Sequence, residues 1–145
     1  MTQEEKQLLL KDLCARLPYG VKATTTSNGW KDVYIVSGYN NDRIYLDCPI
    51  YDEGDDEWLI ESVKPYLRSM SSLTDEEKDE FDSLWNDGFG EALDAQLNGQ
   101  NDLSVKTLEI TASYKSIQWL LEHHFDFMGL IQKGLALEAP EGMYN

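Results

Sequence analysis

The stretch "VKATTTSNGWKDVYIVSGYNNDRIYLDC", residues 21–48, decides the fold class. "VKATTT" is rich in β-branched residues, and "SNG" is a turn signal. "WKDVYIVSGY" reads as a strand with Val33, Ile35 and Ser37 on one side and Tyr34 and Val36 on the other. "NND" turns the chain and "RIYLDC" returns it. Three consecutive strands joined by short turns form an antiparallel meander.

Helices flank this meander. Upstream, Thr2 and Glu5 have capping-box spacing, and Leu9, Leu10, Leu13, Cys14 and Leu17 follow at helical intervals before Pro18 stops the run. The spacing predicts a first helix over 3–16. Downstream, "PIYDEGDDEW" reads as an acidic loop with five acids, and "EWLIESVKPYLRS" as extended chain over 58–68, because Pro65 disfavours a helical Lys64. Thr74 and Glu77 form a second capping box, with Asp75, Glu76 and Glu77 at the positive end of the helix dipole. Phe81, Leu84, Trp85, Ala92 and Leu93 continue that helix, which Gly88 and Gly90 divide. "LSVKTLEIT" reads as a strand with a change of parity between Val105 and Leu108. Ser113 caps a last helix over 114–124, Asp126 caps a short turn after it, and Gly134 ends that turn.

The expected fold is α+β: a small, mainly antiparallel sheet of four to five strands packed against two to three helices. A length of 145 residues suits one domain, 1–145, and no segment reads as a linker.

Composition narrows the function classes. Twenty-seven acids against twelve bases give a formal net charge of −15. Such a chain repels phosphate backbones and anionic membrane surfaces, which argues against ordinary nucleic-acid binding and against a membrane partner. The start, "MTQEEKQLLLKDL", reads as a helix and not as a signal peptide, and no apolar run approaches the ~20 residues of a spanning helix. Cys14 and Cys48 make neither a disulfide framework nor a zinc spacing, so a reducing, cytoplasmic setting is expected. A Cys14–Cys48 bridge stays open as an alternative.

No catalytic signature emerges. Cys14 falls on the apolar face of the first helix, and Cys48 follows Asp47, whose charge disfavours a thiolate. Neither "DEGDD" nor "NDG" at 86–88 fits a calcium loop. Neither a nucleophile elbow nor a phosphate loop is present. The only histidines, His123 and His124, are adjacent, so they point about 100° apart on a helix and do not jointly grip a metal. They read as a helix end, with His124 on the apolar stripe. No cofactor or metal site is expected.

Two surfaces remain as candidates for partner binding. The first is the acidic cluster Asp55, Asp56 and Glu57, for which the partner would be a basic protein. The second is the aromatic group of the meander, Trp30, Tyr34, Tyr39, Tyr45 and Tyr51, with Tyr34 and Tyr45 as cross-strand neighbours on one face.

Two blocks, "VKPYLRSMSSLTDEEKDE" (63–80) and "WLLEHHFDFMGLIQKGLALEAPEGMY" (119–144), resemble a group of short uncharacterised proteins of gut bacteria and their phages and mobile elements. That group often carries proline where this chain has Ser69, and a Tyr-Arg pair where it has Phe127-Met128. The resemblance covers about a third of the chain and assigns no residue a role. It implies a small accessory protein of a phage or mobile element. The sequence reading is a non-enzymatic interaction or regulatory protein; the alternatives are a small enzyme whose site is not legible, and a structural phage component.

Overall fold

The computed structural model describes residues 1–26, 29–47, 55–84 and 114–144. The chain divides into two compact units, Met1–Met70 with Leu121–Asn145, and Ser71–Leu120.

In the first unit, helix α1 runs Gln3–Arg16, the predicted bounds. Its capping box is formed: the Thr2 hydroxyl accepts from the Glu5 N–H at 3.1 Å, and the Glu5 carboxylate accepts from the Thr2 N–H at 2.9 Å. A short 3-10 turn, Leu17–Tyr19, ends the helix, and Gly20 supplies the left-handed backbone (φ 68°) that redirects the chain into the sheet.

The sheet comprises β1 (Lys22–Thr25), β2 (Tyr34–Asn40), β3 (Arg43–Asp47), β4 (Asp55–Leu59), β5 (Val63–Leu67) and β6 (Leu137–Glu138). The spatial order is β4-β3-β2-β1-β5-β6. Every pairing is antiparallel except the two-residue contact of β5 with β6. The fold is α+β. The six described strands exceed the four to five expected for two reasons. The acidic "loop" and the start of the extended run 58–68 form β4, which a 3-10 turn at Ile60–Ser62 separates from β5, and the two-residue β6 is a strand the sequence reading did not expect. The strand expected over 103–111, the glycines at 88 and 90, and the Ser113 cap lie outside the described residues.

The sheet is strongly coiled. β4 and β5 are four strand spacings apart in the order, about 19 Å if the sheet were flat. Yet Leu59 and Val63 are joined by a segment that reaches at most about 14 Å. They also pair at opposite ends of the meander, Leu59 with Arg43 and Val63 with Thr25. Curling the sheet toward a barrel meets both constraints. The Ile60 N–H, bonded to the Asp42 carbonyl at 2.9 Å, pins the connection across the β2–β3 turn.

The inner side of this coil holds the core: Val21, Ala23, Val36, Ile44, Leu46, Ile60, Val63 and Leu67 are all buried. Leu9 and Leu13 of α1 close it, each burial worth about 2 kcal/mol. Leu130, Leu135 and Ala136 complete the cluster.

Two segments distant in sequence, 66–68 and 125–138, meet here. Tyr66 and Leu67 pair with Leu137 and Glu138, and Arg68 bridges Phe125 with its guanidinium over the ring at 4.1 Å.

In the second unit, helix α2 occupies 75–84 within the described residues. The Thr74 hydroxyl accepts from the Glu77 N–H and the Glu77 carboxylate accepts from the Thr74 N–H, both at 3.1 Å, which is the second predicted capping box. Phe81 and Trp119 pack with ring centroids 5.6 Å apart. Helix α3 covers 114–122, two residues short of the predicted end.

Candidate functional site: an acidic sheet edge and a buried polar lock

β4 is an unpromising strand by composition, since Asp and Glu are depleted in sheets. It forms because all five of its residues pair with β3, from Asp55 with Asp47 to Leu59 with Arg43. Trp58 lies opposite the buried Ile44 and packs against the core. Among the described strands β4 is outermost, so polar residues on it remain hydrated at little cost. This corrects the loop reading of residues 55–57. The candidate residues Asp55, Asp56 and Glu57 belong to a regular edge strand, and Asp56 and Glu57 are exposed.

The ladder pairs Asp55 with Asp47 at this acidic edge. Basic relief is sparse. Arg43 approaches Glu57 at 3.7 Å and Asp42 at 3.8 Å, and all three side chains are exposed. Such contacts contribute little in water.

The candidate tyrosines separate. Tyr34 has the parity of the buried Val36 and packs against the core, with its hydroxyl donating to Asp32 at 3.2 Å. Tyr45 lies between the buried Ile44 and Leu46 and therefore points outward. It sits opposite Gly38, where an added Cβ would be 3.4 Å from its ring, and beside Glu57. The expected pair on one face is thus replaced by tyrosines on opposite faces. Only Tyr45 adjoins the acidic edge. Tyr51 lies outside the described residues.

A second constellation was not anticipated from the sequence. Asp12 and Arg16 are buried on α1, with Arg16 fully so. Arg16 Nε and Nη2 donate to the Asp12 carboxylate at 2.7 and 3.1 Å, and Nη2 also donates to the Phe125 carbonyl at 2.6 Å. Burial pushes the Asp12 carboxyl up, against the opposing pull of Arg16. Asp126 accepts from the N–H groups of Leu130 and Ile131 at 2.8 and 2.9 Å, the turn cap expected of it. Gly134 follows with φ 73°.

His124 does not end a helix on its apolar stripe. It lies in the turn after α3 with left-handed backbone (φ 64°), is 8% exposed, and stacks on Tyr144 at 3.7 Å. Burial, then the charge of Arg16, pulls its imidazole down to about 4. A signal for the Asp12–Arg16 pair was available: positions 9, 12, 13 and 16 form one helical stripe, and an i, i+4 acid–base pair on it fits a buried bridge.

The geometry of this cluster is that of a lock between α1 and the 121–144 segment. A cleft of about 240 Å³ lies elsewhere, between α1 and the β2–β3 turn. Its one lysine, Lys6, is bound to Glu61 at 2.8 Å. Among the described residues, no three His, Cys, Asp or Glu side chains cluster as metal ligands would, and no helix is long and apolar enough to cross a membrane. Cys14 is a free, half-buried thiol whose pKa burial raises; Cys48 lies outside the described residues. No family model, curated protein or solved structure matches the chain.

Proposed function

We propose that this protein is a non-enzymatic interaction or regulatory protein whose acidic β4 edge receives an extended, basic segment of a partner protein. The observation that carries this reading is the placement of Asp55, Asp56 and Glu57 on the outermost described strand, with Asp47 directly across the ladder. An edge strand offers free backbone donors and acceptors to an added strand. The acids favour lysine and arginine on that strand. Tyr45 stands beside Glu57 and supplies an aromatic contact for the stem of a bound lysine or arginine.

The net charge of −15 supports attraction over long range, so binding acts mainly through the association rate. The resemblance of 63–80 and 119–144 supports an accessory role in a phage or mobile element, and the sparse cysteines support action in the cytoplasm. The acids of β4 also suit a purely protective role, in which they keep the edge from pairing with other chains.

Affinity capture with two baits separates these roles. The wild-type chain should enrich a basic protein that the Asp55→Asn/Asp56→Asn/Glu57→Gln variant does not. Equal capture by both baits would remove the edge from the binding account. Aggregation of the folded triple variant without loss of any partner would support the protective role.

A further inference from the structure

The segment after β6 crosses the outer side of β1 and β5 as a strap. The Ala139 N–H donates to the Leu67 carbonyl at 2.7 Å. The Lys22 N–H donates to the Tyr144 hydroxyl at 2.9 Å, and that hydroxyl donates to the Tyr66 carbonyl at 2.6 Å. Lys22 Nζ donates to the Met143 carbonyl at 2.7 Å. On this side of β1 and β5, Thr24 and Tyr66 are buried, with the Tyr66 hydroxyl donating to the Trp30 carbonyl at 3.3 Å, while Lys22 and Lys64 are half-buried. His124 backs the strap's anchor ring, stacked within 16° of parallel on Tyr144, and Lys22 Nζ lies 5.5 Å from the centre of the same ring.

We infer that the strap, residues 139–144, is a latch that opens when His124 takes up a proton. The imidazole is enclosed, and the charged groups that bear on it from the packed elements are positive: Arg16 of α1, Lys22 of β1, Arg68 after β5, and the adjacent His123. The carboxylates of the region are committed elsewhere, Asp12 to Arg16 and Asp126 to the Leu130 and Ile131 N–H groups. Burial pushes the Tyr144 hydroxyl up to about 12, so that ring stays neutral throughout the range. A protonated ring gains some attraction to the Tyr144 face. It gains more by reaching water, away from the cations. Its escape breaks the stack that holds Tyr144 over β1 and β5. The depressed pKa agrees with this geometry, since the closed form resists the proton down to about pH 4 and an open imidazole accepts it near 6.5.

Amide hydrogen exchange at pH 7.0 and 4.5, corrected for intrinsic rates, tests the latch. Protection of the Lys22 and Ala139 amides should fall at least tenfold at the lower pH, without the urea dependence that the amides of Ile44 and Leu46 show through global unfolding. The His124→Asn variant tolerates the left-handed backbone and carries no proton, so it should show no such step. Unchanged protection in the wild type, the same step in His124→Asn, or a urea dependence at Lys22 and Ala139 equal to that at Ile44 and Leu46 would each overturn the inference. An NMR titration of the His124 ring stands independent of any variant. A midpoint far below 6.5 is expected, and an ordinary midpoint would equally overturn it.

Discussion

Replacing Asp12 with alanine tests the buried lock most severely. Arg16 is fully buried and makes three hydrogen bonds, two to the Asp12 carboxylate and one to the Phe125 carbonyl, with its guanidinium 5.6 Å from the Phe127 ring centre. Removing Asp12 leaves a cation in the interior with one carbonyl for company. The expected loss is about 3–5 kcal/mol, the cost of breaking a buried pair from one side. The intact pair is worth much less than that. Burial pushes the Asp12 carboxyl up despite Arg16, so desolvation returns much of what attraction supplies. The double variant Asp12→Leu/Arg16→Met should therefore lie within about 1 kcal/mol of the wild type, or above it. Urea denaturation followed by circular dichroism, arranged as a double-mutant cycle, measures both quantities. A loss below about 1 kcal/mol for Asp12→Ala would falsify the lock, given the usual cost of an unpaired buried charge.

Three further outcomes follow from individual contacts. Thr74→Ala removes the cap of α2 and should lower stability by about 1 kcal/mol; an unchanged denaturation midpoint would show that the capping box contributes nothing. Tyr144→Phe deletes the hydroxyl bonds to Lys22 and Tyr66 and should cost about 1–3 kcal/mol, with the Lys22 amide exchanging faster at every pH. For His124 the folded form holds its proton less readily than the unfolded form, so the neutral ring's contribution is complete above pH 6.5 and is lost as the pH falls toward 4. The loss should approach about 3 kcal/mol in denaturation experiments, and His124→Asn should flatten that slope.

Local chemistry was the legible part of this sequence. Both capping boxes, Thr2–Glu5 and Thr74–Glu77, close within three residues, so their signal survives any tertiary context. The meander was legible because alternation and turn residues are also short-range. Nothing local announced β4, whose Asp55-Asp56-Glu57 opposes strand formation by composition and is held by pairing with β3. β6 is two residues long, and its partner lies about seventy residues earlier, beyond the reach of any periodicity. The tyrosine error was one of parity. Tyr34 shares the face of Val36, whereas Tyr45 falls between Ile44 and Leu46, so no pairing of β2 with β3 brings the two rings together. Asp12 and Arg16 were hidden by the habit of treating charges as surface, although they repeat on the stripe of Leu9 and Leu13.

The central claim is that the β4 edge binds basic extended chain, and NMR mapping with a strand-forming probe peptide of alternating lysine and valine tests it directly. At low salt, shift changes should concentrate on the amides of Asp56 to Leu59 and on Tyr45. Affinity should fall about tenfold on raising the salt to 150 mM, as the Debye length shrinks to about 8 Å. The Asp55→Asn/Asp56→Asn/Glu57→Gln variant should keep its fold and lose the response. Shifts that map away from β4, or an affinity indifferent both to salt and to the three amides, would contradict the account.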